Sequence, residues 1–171
     1  MKVRAYISIG SNIDPEENMK KALLELSRKT RLTGLSTVYK TEPEGRSGQR
    51  YFLNSVAEIE TSLPPEEVKF QILRVIEDDL GRVRTEDKYA DRTIDMDLIL
   101  YGDMAIEKEG LKIPDPEILR RPFLAIPLFE LRPGLKLPSG EGIKDAAANL
   151  PGERMSPLPE YTEELKALAI K

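Results

Sequence analysis

The sequence predicts an α+β domain in which two helices cover one face of an antiparallel sheet. Three observations lead there: a period-two apolar segment opens the chain, each of two helical stripes follows a strand, and an almost continuous apolar run of strand length completes the set. In the first strand Val3, Ala5, Ile7 and Ile9 alternate with Arg4, Tyr6 and Ser8, the pattern of a strand with one buried face. Asp14-Pro15-Glu16-Glu17 opens the first helix. Asp14 can cap it, Pro15 suits its first position, and Glu17 can return a bond as in a capping box. Met19, Ala22, Leu23 and Leu26 then make one buried stripe. Residues 32–41, rich in β-branched and aromatic types, read as the second strand, and residues 42–50, with Pro43, Gly45 and Gly48, as a loop.

Ala57 and Ile59 alternate with Glu58 and Glu60 in a third strand. Pro65-Glu66-Glu67 begins the second helix, whose stripe is Val68, Ile72, Val75 and Ile76 and whose stop is Gly81. Leu98-Ile99-Leu100-Tyr101 reads as a strand in the middle of the sheet. The order β-α-β-β-α-β is the ferredoxin-like arrangement, a helix-on-sheet sandwich. From 114 to 138 the chain holds six of its thirteen prolines, which limits helix there to short pieces, and residues 143–149 suit another short helix. Residues 1–150 form the expected domain. Residues 151–171 form a tail with a weak helical stretch over 163–170 and no assigned role.

Composition narrows the chemistry. The 171 residues contain no Cys and no His, which excludes disulfides, thiolate metal sites, cysteine nucleophiles, Ser-His-Asp triads and imidazole bases. Catalysis must run on carboxylates, Arg, Lys, hydroxyls or a bound metal. A net charge of −4 argues against broad phosphate neutralisation on nucleic acid. No apolar run approaches the roughly 18 residues of a membrane span, and the first ten residues do not read as a secretory signal, so a cytoplasmic protein is expected.

The sharpest local signal is Asp95-Met96-Asp97. In a strand, residues two apart share a face, so both carboxylates project together about 7 Å apart at the backbone and can converge on shared cations. A solvated strand end is an equally open reading of the pair alone. Just upstream, Arg82, Arg84, Lys88 and Arg92 lie among Glu86, Asp87 and Asp91. Arginine forks match phosphate oxygens, and an arginine loop leading into paired carboxylates suits a metal–polyphosphate substrate. By itself such a loop reads equally as a self-neutralising surface segment.

The stretches AYISIGSN, YFLNSVAEIETSLPPEE, GRVR, DRTIDMDLILYG and IPDPEILRRPFLAIPLFEL, in this order and spacing, resemble the 6-hydroxymethyl-7,8-dihydropterin pyrophosphokinase family of folate biosynthesis over residues 1–150. The resemblance implies transfer of the terminal diphosphate of ATP to the hydroxymethyl group of the pterin, with release of AMP. It implies two magnesium ions on Asp95 and Asp97, with Arg82 and Arg92 as catalytic charge-neutralising groups. Arg84 and Arg121 would be further phosphate clamps. Adenine would be read near Ile99, Leu111 and Lys112, with Glu77 close by. The pterin would meet Thr41, Pro43, Gly45, Phe52, Asn54 and Phe123, the two Phe rings sandwiching it. The implied partners are these two small molecules, with neither nucleic acid nor membrane. Both residues 42–50 and 82–92 are candidate lids over bound ATP.

This chain also departs from the family pattern. Asp115 stands between Pro114 and Pro116 where members commonly carry His, Ala90-Asp91 replaces Gly-Pro, Tyr89 replaces an aromatic that is often Trp, and Glu44 replaces an apolar loop residue. Facing phosphate, Asp115 would repel unless it pointed away, bridged through a cation or paired with a base such as Arg121. Two other readings therefore stand beside the pyrophosphokinase: a related kinase with another hydroxymethyl substrate, and a non-catalytic nucleotide- or pterin-binding module.

Overall fold

The structure, a computed structural model, describes residues 1–43 and 48–170, so Gly45 and Glu44 lie outside the described residues. Strand β1 (Val3–Ser11) leads into α1 (Pro15–Lys29), β2 (Arg31–Leu35), β3 (Tyr39–Thr41) and β4 (Phe52–Thr61). A continuous helical run comes next in three parts: α2 (Pro65–Glu67), a π-helical stretch Val68–Leu73, and α3 (Arg74–Asp79). After β5 (Asp95–Tyr101) come the hairpin β6 (Ile106–Lys108) and β7 (Leu111–Ile113), a 3-10 turn Pro116–Leu119, α4 (Pro122–Leu131), α5 (Ile143–Ala148), β8 (Met155–Pro157) and α6 (Pro159–Ala169). The main sheet runs β5-β1-β4-β3-β8, with β2 also on β4, and all its pairings are antiparallel.

Helices lie on both faces of this sheet. Ala5, Ile7 and Ile9 of β1 meet Met19, Leu23 and Leu26 of α1 and Ile76 of α3 in one core. Tyr6, Val56 and Ile99 meet Leu124 and Leu128 of α4 and Ile143 of α5 in a second. The apolar run of β5 therefore has a different cause from the one expected. β5 is an edge strand, and its residues are apolar in succession because both faces are covered.

Three further local readings are corrected. The expected second strand divides into β2 and β3, because Ser36 replaces the ladder between them: its hydroxyl accepts from the Val56 N–H at 2.9 Å and meets the Ser55 hydroxyl at 2.9 Å. Asp14 makes no side-chain cap and sits in left-handed backbone (φ 42°), while the Asn18 amide holds the helix start by donating to the Ile13 carbonyl at 2.6 Å. In the second helical run, Leu73 and Glu77 are buried and Val75 is only half-buried. The π turn adds a residue per turn and rotates the helix beyond it, which carries Glu77 inward.

The C-terminal segment is built into the domain. β8 adds a strand beside β3, and Leu165 and Ala169 of α6 enter the first core. Among the described residues, no helix is long and apolar enough to cross a membrane.

Candidate active site

The strand register assembles one end of the second sheet face. Across neighbouring strands, Asp95, Gly10, Asn54 and Tyr39 stand in one row, and Asp97, Ser8 and Val56 in the next. A Cβ at Gly10 would lie 2.6 Å from Asn54 Oδ1, so a larger residue there would displace the Asn54 side chain. Asn54 is held in turn by donating to the Thr41 hydroxyl at 2.6 Å. Thr41 thus sits behind Asn54 as its support.

Above this end opens a cavity of about 630 Å³ whose lining includes Pro43, Phe52, Asn54, Arg92, Arg121 and Phe123, with Asp95, Asp97 and Asp115 on its acidic side. A second hollow of about 320 Å³ is lined by Lys69, Lys108, Leu111 and Lys112, and also by Asp97 and Asp115. The two therefore meet at these carboxylates. Ile99 is fully buried, and its carbonyl accepts from the Asp115 N–H at 3.0 Å.

The arginines gather behind and beside Asp95. Arg82 Nη1 lies 3.3 Å from Asp95 Oδ1, and Arg92 Nη1 lies 2.9 Å from Oδ2. Arg82 also donates to the Ile94 carbonyl at 2.7 Å, and its buried Nε–H has no acceptor among the described residues. Glu77 is the buried hub beneath them. Its Oε2 accepts from the Met96 N–H at 3.0 Å and lies 3.3 Å from Arg82, while its Oε1 accepts from Arg84 at 2.6 Å. Glu77, Arg82 and Arg84 are thus placed behind the wall of the two hollows rather than on it. Burial, and next among the opposing effects the nearby Asp95, push the Glu77 carboxyl above its ordinary range despite the bond from Met96 and the two arginines.

Asp97 is different. Its side chain has no hydrogen-bond or ion-pair partner among the described residues. It lies at the bottom of a concavity, surrounded by protein yet open to solvent from above. Desolvation, then Asp95, Glu77 and Asp115, raise its carboxyl to about 7, with Lys69 opposing. Asp115 takes a structural role as well: its Oδ1 accepts from the Glu117 N–H at 2.9 Å and caps the 3-10 turn. Arg121 is engaged by Glu117, with Nε 2.8 Å from Oε2.

Several organising residues carry no signal in the sequence pattern. Buried Asn12 is the main one. Its Nδ2 donates to Asp91 at 2.8 Å and its Oδ1 accepts from the Arg92 N–H at 2.7 Å, which pins the arginine loop to the end of β1. Ser11 adds a bond to the Thr93 carbonyl at 2.6 Å. Gly-Ser-Asn after a strand signals a turn, and its partner 80 residues on is visible only once β1 and β5 pair. The Gln49 amide donates to the Tyr89 carbonyl, joining the two loops. Lys69 reaches the second hollow from the π-helical stretch.

Paired carboxylates flanked by arginines, between an aromatic cavity and a lysine-lined one, define a phosphoryl-transfer enzyme. The chain belongs to the 7,8-dihydro-6-hydroxymethylpterin-pyrophosphokinase (HPPK) family, whose profile matches residues 6–133. It is 36% identical over 156 residues to the 2-amino-4-hydroxy-6-hydroxymethyldihydropteridine pyrophosphokinase of Haemophilus influenzae, covering 90% of this chain and 96% of that one. The enzyme of the same name from Pseudomonas aeruginosa is 35% identical over 159 residues, covering 91% and 97%. Among solved structures, wild-type Plasmodium falciparum HPPK-DHPS with pteroate superposes with a TM-score of 0.68 at 12% identity, a likeness of fold. The match covers 98% of this chain, which spans 44% of that longer one.

Proposed function

We propose that this chain carries out its family's reaction at the junction of the two hollows. It transfers the terminal diphosphate of ATP to the hydroxymethyl group of 6-hydroxymethyl-7,8-dihydropterin. The pterin oxygen attacks the β-phosphorus, the bond from that phosphorus to the bridging oxygen of AMP breaks, AMP leaves, and the hydroxyl proton passes to solvent. The observation that carries this reading is that Asp97 and Asp115 line both hollows, so a flat ring in one and a nucleotide in the other would meet there.

Each residue then has a task. Phe52 and Phe123 offer ring faces for the pterin, Asn54 offers donor and acceptor to its amide edge, and Pro43 lies on the wall beside it. Leu111 and Lys112, with the backbone at Ile99, serve the nucleotide. Arg92 and Arg121 on the cavity wall meet phosphate oxygens directly. Arg82, held by Glu77 with an unused Nε–H, and Arg84 stabilise the charge from behind.

Asp95 and Asp97 would hold the magnesium ions. Among the described residues, no group of three or more carboxylates stands as a complete cage. Two carboxylates completed by substrate phosphates and water is the donor set that magnesium accepts, and Asp97, without a partner among the described residues and crowded by other carboxylates, is a group whose charge a cation would offset. Bound there, magnesium supplies Lewis-acid neutralisation of the polyphosphate.

The strand order β5-β1-β4-β3, with α1 and α3 together on one face, supports the ferredoxin-like reading of the sandwich. A cytoplasmic site of action suits an enzyme that consumes ATP. The bond from Gln49 to Tyr89 supports joint closure of the two loops.

The test is AMP release from ATP and magnesium with and without the pterin, beside Asp95→Ala. Pterin-dependent AMP from the unaltered chain alone is expected. AMP formation with another hydroxymethyl acceptor only, or none from a protein that still binds ATP, would overturn the assignment.

A further inference from the structure

The segment after α5 lines the larger cavity. Pro151, Glu153 and Arg154 are on its wall, beside the Glu42-Pro43 edge. The Glu42 N–H donates to the Arg154 carbonyl at 3.2 Å, and the two side chains approach to 4.0 Å. On its other side the strap sits against α4, the helix that carries Phe123: a Cβ at Gly152 would lie 3.0 Å from Ile126 Cδ1. The strap is fastened beyond the cavity as well. β8 pairs with β3, the Leu158 N–H donates to the Val38 carbonyl at 2.9 Å, and the Val38 N–H donates to the buried Thr162 hydroxyl at 2.8 Å.

Resting on the pyrophosphokinase reading, we propose that residues 151–154 are a wall of the pterin site, with Arg154 a positioning residue that fastens the Glu42-Pro43 edge. β8 and α6 hold the strap in place before substrate arrives, so binding need not order it. The Glu153 carboxylate adds an acceptor to a wall that also carries Asn54 and the two Phe rings, and it suits the amino group of a pterin.

The chain has no cysteine, so a thiol introduced by Glu153→Cys is the only one present. Its alkylation rate is expected to fall about fivefold when the pterin is added and to stay unchanged with a non-hydrolysable ATP analogue alone. Glu163→Cys, at a side chain 74% exposed on α6, should react equally in all cases. Separately, Arg154→Ala should raise KM for the pterin about fivefold, with kcat and KM for ATP within about twofold, and Arg154→Lys should recover most of the loss. Equal alkylation at position 153 with and without pterin would overturn the proposal, as would a fall in kcat without a change in pterin KM. Pterin-dependent AMP release without protection at 153 sinks the wall and keeps the enzyme reading. Protection without AMP release keeps the wall and sinks that reading.

Discussion

Two regions on the same face of the sheet hold carboxylates, two residues apart along β1, and the protein treats them oppositely. Glu58 lies across from Tyr6, and Asp97 lies across from Ser8. Glu58 accepts from the Tyr6 hydroxyl at 2.8 Å, the Thr33 hydroxyl at 2.8 Å and Arg132 Nε at 2.9 Å. Burial works against its charge, yet the bonds from Arg132, Thr33 and Tyr6 outweigh it and hold the carboxyl below its ordinary range. Asp97 is crowded by carboxylates instead and retains its proton to about 7. One carboxylate is a finished structural network. The other is left for something that arrives.

The largest effect should come from Asp97→Asn. AMP formation should fall by about three orders of magnitude while thermal stability holds or rises, because a repelling charge is removed from the site. An active Asp97→Asn protein would erase the distinction between the two regions.

Glu58→Gln should do the reverse. It should cost about 3 kcal/mol at neutral pH in urea unfolding, with kcat and KM of the remaining folded protein unchanged. The sign comes from the depressed carboxyl: its contribution is present above the unfolded carboxylate range and is lost as pH falls through the folded value. The gap between Glu58→Gln and the unaltered chain should therefore close in acid, and a gap that widened in acid would refute the assignment.

Asn12→Ala lies between the two cases, a buried structural side chain serving a functional loop. It should lower kcat about tenfold through a released Arg92, with a smaller stability loss than Glu58→Gln. The smallest change is expected from Asp115→Asn, which keeps the cap on Glu117 and removes one charge from the junction. KM for ATP should fall about twofold, and a clear rise would make Asp115 a ligand-holding residue.

Much of the site was legible because strand periodicity is local. Asp95 and Asp97 share a face by spacing alone, and the structure puts both on one cavity wall. The partners of those residues were not legible. Asn12 and Arg92 are 80 residues apart, and Gly10 meets Asn54 only through the register of β1 on β4. Local rules also failed in places. Asp14 does not cap although its sequence context is favourable, because its backbone is left-handed where a capping residue is extended. The stripe of the second helix slipped at the π turn, which no apolar spacing signals.

Short-range information therefore set the alternation of β1, the stripe of α1 and the paired aspartates, since each depends on residues within a turn or two of one another. Tertiary packing decided the rest: that β5 lies at an edge with both faces covered, that Glu77 turns inward under the arginines, and that the C-terminal segment joins the sheet and the cavity wall. Those outcomes depend on which surfaces come together, and burial rewards contact between residues without regard to their separation along the chain.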